Sequence, residues 1–317
     1  MRALILVNPH AGNRKGAQFL FALRELSSRL GPEDKLLVEP TRKWNLQEQI
    51  GLMAPGMKSL VVVGGDGTVS QVLEACWHLG LSMPVGIVPL GTGNDMARSL
   101  GLYEGRPWHP EEVLAYVQGE KTVEVDLWGL GDKLCFSNYS SLGLDAAVVK
   151  RFCRIRQWIE ARQHMGKRAF YFALYIAVWM SLMAERIPEG TLLSWEDASG
   201  GRFEKLVGGA RVLALTNTPY YAAGALMEPR ASLGDGLLEV TIFSHMRHYV
   251  ELMATRARPF AKLGLQDHWW RVKARRLEIR LPRKSPVQAD GEDLSSRLGT
   301  AENLQVERKG QVRVLIR

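Results

Sequence analysis

The sequence predicts an α/β protein: an N-terminal domain built on a parallel sheet, then a β-sandwich-like domain with inserted helices. Three observations carry that reading. Short β-rich runs alternate with helix-spaced apolar residues up to about residue 128. Beyond Asp126 one strand pattern follows another, with only two or three helical patterns between them. The 317 residues, 46% of them hydrophobic, are enough for two ordinary cores.

In the first half, Leu4–Val7 is an apolar run that meets a loop at Asn8-Pro9. Phe19, Leu20, Leu23, Leu26 and Leu30 then recur at helical spacing within Ala17–Leu30. Lys35–Val38 reads as a second strand, Asn45–Met53 as a helix and Ser59–Val63 as a third strand. Val69, Val72, Leu73 and Cys76 mark the apolar side of the next helix. Val85–Val88 is a strand, and a short helix follows near Asn94–Leu100. Such alternation places helices on both faces of a parallel sheet.

In the second half, Leu134–Ser140, Thr191–Trp195, Ala210–Thr216, Leu237–Phe243 and Arg276–Leu281 read as strands. Helices are expected around Ala146–Ile159, Lys167–Met183 and His248–Lys262. The tail, Leu304–Val306, Lys309-Gly310 and Val312–Ile316, predicts a hairpin turning at Gly310. The expected domains are 1–128 and 129–302.

Composition narrows the function. Charged residues at 23% and aromatics at 8% exclude a mainly disordered chain. Three cysteines (Cys76, Cys135, Cys153) exclude a disulfide framework and fit a reducing cytosol, and no C-x-x-C supports a zinc ribbon. The first apolar run is too short for a secretory signal. The longest, Ala169–Ala184, is sixteen residues, short of the roughly 20 of a bilayer span. It predicts a buried or interfacial helix. A net charge of +8 points to an anionic partner: nucleic acid, a membrane surface or a phosphorylated ligand.

The local signal with most chemistry is Gly64-Gly65-Asp66-Gly67-Thr68, between the Ser59–Val63 strand and a helix. Glycines let backbone N–H groups approach a phosphate, and the helix N-terminus adds positive partial charge. A carboxylate at Asp66 would repel phosphate unless Mg²⁺ or an ordered water lies between them. A tight turn with Asp66 capping the helix is the competing reading. A second loop repeats the arrangement: Pro89-Leu90-Gly91-Thr92-Gly93-Asn94-Asp95. A third, Asn8-Pro9-His10-Ala11-Gly12-Asn13-Arg14-Lys15-Gly16, adds basic side chains. In an open α/β sheet ligands bind at the strands' C-terminal edge, where all three loops lie. No G-x-x-x-x-G-K-[ST] or G-x-G-x-x-G after the first strand is present, so P-loop and dinucleotide fingerprints are excluded. There is no H-E-x-x-H, and His245 and His248 lack an evident carboxylate partner. There is no G-x-S-x-G elbow either. Asn138-Tyr139-Ser140 is a glycosylation sequon only in a secreted protein.

The two glycine loops, in this order and separation, resemble the diacylglycerol kinase catalytic domain. That superfamily includes bacterial lipid kinases and the sphingosine and ceramide kinases, with NAD kinases as distant relatives. The resemblance extends along nearly the whole chain. It implies an ATP-dependent, Mg²⁺-requiring lipid kinase. Asn8, Pro9, His10, Ala11 and Gly12 match the first nucleotide loop, with Lys15 near the phosphates, and Thr41 matches a nucleotide contact. Gly64, Gly65, Asp66, Gly67, Thr68, Val69, Ser70 and Gln71 match the main ATP loop. Gly91, Thr92, Gly93 and Asn94 match the second, although many bacterial relatives carry Thr or Ala at the Gly93 position. Asp66, Asp95 and Asp126 match acids that organise catalytic Mg²⁺ through water, and Lys167 resembles a basic residue reaching in from the second domain.

In the second half, Ser232-Leu233-Gly234-Asp235-Gly236-Leu237 resembles a structural Mg²⁺ turn. The ligands it implies are the Asp235 carboxylate and groups at Ser232 and Leu237. Read without the resemblance, it is a turn before a strand. Asp290-Gly291-Glu292 matches a motif whose glutamate is the proposed catalytic base, which makes Glu292 the first candidate and Asp290 the second. The resemblance also implies that the strands at about 303–317 return to the first domain.

Seven Lys/Arg against one acid lie in 150–168, and eight against two in 262–284. Trp158, Trp179, Trp269 and Trp270 are interspersed. Basic residues beside tryptophans suit an anionic membrane surface, while a solvated basic face over buried tryptophans is the plainer alternative. No nucleic-acid module is recognisable, so nucleic acid is not an expected partner. The sequence therefore predicts a cytoplasmic enzyme of phospholipid metabolism, peripherally associated with the inner face of the membrane. Its expected partners are ATP and a lipid, most simply diacylglycerol, with room for a homodimer. The alternatives are a kinase of phosphatidylglycerol or a long-chain base, or a catalytically silent nucleotide- or lipid-binding protein.

Overall fold

The structure is a computed structural model that describes all residues except 13–14, 43–44, 104, 132–133, 161–173, 175, 179, 183, 257–268 and 299–301. The first half alternates β1 (Arg2–Val7), α1 (Lys15–Ser28), β2 (Lys35–Pro40), α2 (Leu46–Met53), β3 (Ser59–Gly64), α3 (Asp66–His78) and β4 (Val85–Pro89). Two short helices, α4 (Asp95–Ser99) and α5 (Pro110–Val117), follow. All six residues of β3 and all five of β4 are buried. Continuous apolar burial of this kind belongs to parallel strands covered on both faces. The order β2-β1-β3-β4 is parallel throughout.

The second half contains β5 (Thr122–Leu130), β6 (Leu134–Phe136), β7 (Tyr139–Gly143), α6 (Leu144–Glu160), β8 (Leu192–Glu196), β9 (Arg202–Leu206) and β10 (Val212–Thr216). Then come β11 (Tyr220–Tyr221), β12 (Ala225–Leu226), β13 (Leu238–Phe243), α7 (Met246–Ala254), β14 (Trp270–Ala274) and β15 (Arg276–Arg280). The chain ends with β16 (Val287–Ala289), β17 (Glu292–Asp293) and β18 (Asn303–Leu315). A six-stranded antiparallel sheet runs β14-β13-β10-β7-β16-β17. It packs against the antiparallel part of a ten-stranded sheet through Trp128, Phe136, Leu142, Leu215, Val240, Ile279 and Val306. Two layers with an apolar filling make a sandwich. On its other face, Tyr139, Val212, Ala214 and Phe243 of the six-stranded sheet form a second core with Leu144 and Val148 of α6, Tyr221 of β11, and Tyr249 and Leu252 of α7.

The tail is not a hairpin. Asn303–Leu315 is one thirteen-residue strand, antiparallel to β5 and β15, with Val314 parallel to Val85 of β4. Its register shifts between Arg308 and Gly310, a β-bulge. Gly310 marks close approach rather than a turn: a Cβ there would lie 2.2 Å from Trp77 Nε1. This strand joins the parallel sheet to the sandwich.

Among the described residues no helix is long and apolar enough to cross a membrane. The expected helix at Lys167–Met183 falls largely outside the described residues, as does the end of the one expected at His248–Lys262.

Candidate active site

The predicted loops follow β1, β2, β3 and β4, which are parallel, so all of them emerge on one edge. They are bonded to one another. Asn8 Nδ2 donates to Thr68 Oγ1 at 2.8 Å, and His10 N–H donates to Asn8 Oδ1 at 3.0 Å. Thr41 N–H donates to the Val7 carbonyl at 2.9 Å. Gly65 and Gly91 touch backbone to backbone: a Cβ on Gly91 would sit 2.4 Å from the Gly65 Cα. Only glycine permits this contact. Asn94 caps α4 in the left-handed region, at φ 57°, and exchanges two hydrogen bonds with Gly91, at 2.8 and 2.9 Å.

Other predicted ligand residues divide by exposure. Lys15, the first residue of α1, and Gln71 and Thr92 are exposed, while Pro9, Gly12 and Gly67 are half-buried. Val69 is 2% exposed and packs in the core, so its side chain holds α3 down rather than facing a ligand. Lys167 lies outside the described residues.

Two carboxylates stand between the loops, Asp66 half-buried and Asp95 fully buried. Asp66 begins α3, and its Oδ1 accepts the Met96 N–H at 3.2 Å. A Cβ at Gly93 would fall 2.6 Å from Asp66 Oδ2. Asp95 Oδ2 accepts the Ala223 N–H at 2.8 Å, whereas its Oδ1 is buried without a hydrogen-bond partner. The Arg98 guanidinium is 3.9 Å away and lies over the Tyr103 ring. Burial, then the charges of Asp95 and Asp290, push the Asp66 carboxyl from 3.8 up to about 7. Burial also raises Asp95.

Asp290 and Gly291 form a two-residue hairpin loop between β16 and β17, with φ of 48° and 81°. The Asp290 carboxylate accepts N–H groups from Ser137, Asn138 and Tyr139 at 2.9, 2.9 and 3.0 Å, and the Ser70 hydroxyl from α3. The turn is thus anchored to both halves of the chain. Glu292 is exposed, and its Oε1 lies 3.9 Å from where a Cβ on Gly67 would be.

Asp126 stands elsewhere. It is fully buried, accepts the Gly236 N–H at 2.8 Å and pairs with Arg308 at 3.3 Å. Its hydrogen bonds and ion pair thus tie it to the Ser232–Leu237 turn and β18 rather than to Asp66 or Asp95. In that turn, Asp235 Oδ1 accepts the Leu237 N–H at 3.0 Å and Oδ2 meets the Lys273 ammonium at 3.3 Å. A cation at Asp235 would have to displace Lys273, and this donor set does not fit one as it stands. The Asp66–Asp95 pair does fit a divalent cation: hard oxygen donors, one of them buried without a hydrogen bond and faced only by the Arg98 guanidinium at 3.9 Å. Among the described residues no three acidic, His or Cys side chains form a ready ligand cage.

Sequence reasoning missed Tyr139. It is buried, its ring lies tilted at 40° against Tyr221 with centroids 4.3 Å apart, and it feels the charges of Asp95, Asp66, Asp290 and Asp145. Burial first and those charges second hold its hydroxyl well above its ordinary range. The left-handed Ala222 and Ala223, at φ 45° and 66°, were also not legible.

The diacylglycerol kinase catalytic domain model matches residues 2–129, and the diacylglycerol kinase accessory domain model matches 135–293, half of the chain. The chain belongs to the diacylglycerol kinase family. Human diacylglycerol kinase iota is 28% identical over 326 residues, covering 91% of this chain and 29% of that protein. Diacylglycerol kinase of Mycobacterium tuberculosis (strain CDC 1551 / Oshkosh) is 31% identical over 196 residues, covering 60% of this chain and 56% of that one. The chain therefore spans only part of these family members. The fold is that of the crystal structure of a diacylglycerol kinase from Bacillus anthracis str. Sterne. That match has a TM-score of 0.66 and 21% identity, and it covers 100% of this chain and 97% of that one.

Proposed function

We propose that the chain is an ATP-dependent lipid kinase that transfers the γ-phosphoryl group to a lipid hydroxyl, most simply that of diacylglycerol, giving phosphatidic acid. One arrangement carries this reading: two glycine loops in backbone contact with the half-buried Asp66 and the buried Asp95 beside them, and an exposed Glu292 facing Gly67. The N–H groups of the Gly64–Thr68 and Gly91–Asp95 loops receive the phosphates, with the N-terminus of α3 adding positive partial charge. Lys15 reaches the same anion from α1. Mg²⁺, when bound, supplies positive charge against the phosphoryl oxygens, and Asp66 and Asp95 are the residues that would hold it, directly or through water.

The acceptor hydroxyl loses its proton to Glu292 while its oxygen forms the bond to the γ-phosphorus. The bond from that phosphorus to the ADP oxygen breaks. Asp290 is the poorer base, because three backbone N–H groups and the Ser70 hydroxyl already occupy its carboxylate. Its part is to hold the turn.

The lipid side is supported by a stripe on α6. Lys150, Arg154 and Trp158 stand four residues apart, with Arg154 and Trp158 exposed, and Val250 of α7 is 60% exposed. Four-residue spacing places such side chains on one helix face. An anionic surface at the inner face of the membrane suits that stripe, and the protein would work there from the cytoplasm. The 262–284 run contributes less. Arg271, Lys273, Arg276 and Arg280 are in ion pairs, and Trp269 is core.

The test is transfer from labelled ATP, with Mg²⁺, to mixed micelles of diacylglycerol, phosphatidylglycerol or a long-chain base. Labelled phosphatidic acid is the expected product. No product across the panel, or full activity in Glu292→Gln, would overturn the reading.

A further inference from the structure

The Asp290–Gly291 loop is held from its far side by a side chain that the proposed reaction does not use. The Gly291 N–H donates to Gln288 Oε1 at 3.0 Å. Gln288 is fully buried, and its amide nitrogen donates to Ser141 Oγ at 2.9 Å, Asp145 Oδ2 at 3.3 Å and Tyr221 OH at 3.4 Å. Asp145 sits in the first turn of α6, 5% exposed. Its Oδ2 accepts the Ser141 hydroxyl at 2.7 Å and the Tyr221 hydroxyl, and its Oδ1 accepts the Tyr249 hydroxyl at 3.0 Å. The carboxylate is surrounded by donors, so whatever Gln288 turns toward it must be a donor too. That fixes the amide with its oxygen toward Gly291.

Tyr221 extends the arrangement to the other side of the site. Its hydroxyl rests on Asp145, and the next two residues are the left-handed Ala222 and Ala223. Ala223 N–H is the hydrogen-bond donor to Asp95. One buried carboxylate thus braces both the turn that carries Glu292 and the backbone that binds Asp95.

We propose that Asp145 is a positioning residue that sets Glu292 through the Gln288 amide and Asp95 through Tyr221. The role assigned to Glu292 rests on the kinase reading above; the brace itself does not. Replacing Asp145 by Asn puts an NH₂ group where an acceptor stood. Gln288 then flips to offer its oxygen to Asn, and its own NH₂ faces the Gly291 N–H, donor against donor. Gln288→Glu alone sets two carboxylates against each other. The double variant Asp145→Asn/Gln288→Glu restores an acceptor for Gly291 and a matched amide–carboxylate pair, with the net charge unchanged.

The experiment compares the four proteins in the full chain, by steady-state kinetics and by hydrogen exchange at Gly291. Asp145→Asn should lower kcat roughly 10- to 100-fold. KM for ATP should change less than kcat, because the Gly64–Thr68 loop makes no bond to this brace. Gly291 exchange protection should fall. Gln288→Glu, which sets two carboxylates together but keeps an acceptor for Gly291, should also lower kcat, and the double variant should recover kcat to within roughly threefold with Gly291 protection near wild type. If a single variant does not fold, recovery of a folded, protected double variant reports the same pairing. A double variant as impaired as its worse parent, or an Asp145→Asn protein with kcat and Gly291 protection unchanged, would overturn the proposal. A wild-type protein that phosphorylates no lipid defeats the kinase reading instead, and Gly291 exchange still decides whether the brace exists.

Discussion

Asp66→Asn separates a carboxyl made costly by its surroundings from an ordinary one. The Asp66 carboxyl is pushed from 3.8 up to about 7 by burial and by the charges of Asp95 and Asp290. An acid whose folded pKa lies above its unfolded one binds an extra proton in the folded state. Stability therefore falls as pH rises through the interval from about 4 to about 7. At 1.36 kcal/mol per pKa unit, the full penalty above pH 7 is on the order of 4 kcal/mol. Asparagine keeps an oxygen for the Met96 N–H and carries no charge. Its constant packing cost cancels when the variant is compared with wild type at several pH values. Between pH 5 and pH 7 the metal-free variant should gain on wild type by on the order of 2 kcal/mol. At about 2 °C per kcal/mol, that is a relative Tm shift of about 4 °C. Thermal melts in chelator from pH 5 to pH 8 measure it. Millimolar Mg²⁺ should narrow the gap by stabilising the wild-type carboxylate pair. A Tm difference that stays constant across this range would refute the argument that Asp66 titrates near neutrality. Phosphoryl transfer should fall at least roughly 100-fold in the same variant.

The remaining predictions concern other links. Glu292→Gln should lower kcat by roughly 10²- to 10⁴-fold with the Tm unchanged, since Glu292 is exposed. Asp290→Asn sets an NH₂ against backbone N–H donors and should cost about 1–3 kcal/mol of stability, read by urea denaturation. Gly310→Ala drives a Cβ to within 2.2 Å of Trp77 Nε1 and should destabilise by about 1–3 kcal/mol, with kinase activity retained at low temperature. Binding to anionic vesicles should weaken at high salt and in Lys150→Ala/Arg154→Ala, while the Tm stays put.

What was legible in the sequence was local. The buried runs of β1, β3 and β4 are continuous apolar stretches, and the loops after them announce themselves by glycines and acids within a few residues. What escaped has partners far along the chain. Gly310 looks like a turn residue until Trp77 is seen against it. Asn138-Tyr139-Ser140 reads as a sequon without a role in this protein, yet Tyr139 stands among four acids contributed by both halves of the chain. Asp145 and Gln288 are polar residues in an apolar half, and their reason is each other. Trp269 and Trp270 appeared to flank a membrane-facing basic run. Trp269 instead packs on Phe243 and Trp270 on Trp195. Lys273 reads as free charge until Glu239 and Asp235 are found beside it.

Five acids near one another would be a poor way to bind triphosphate if they were equivalent. The hydrogen bonds make them unequal. Asp290 is filled by three backbone N–H groups and a hydroxyl, so it can anchor but has little capacity left for a proton in transit. Asp145 is filled by three hydroxyls and an amide, so it can only brace. Asp66 and Asp95 receive fewer donors than their burial requires, and one Asp95 oxygen has none. A cation placed there removes a penalty that the metal-free protein carries. Glu292 alone is left exposed, one loop away from the glycines. The proposed division between anchoring, bracing, cation-holding and proton-accepting carboxylates rests on how many donors each one already has. It also requires the four to fail differently on neutralisation. Asp66→Asn should stabilise the metal-free protein, Asp290→Asn should destabilise it at every pH, Asp145→Asn should be repaired only by its Gln288 partner, and Glu292→Gln should leave stability alone.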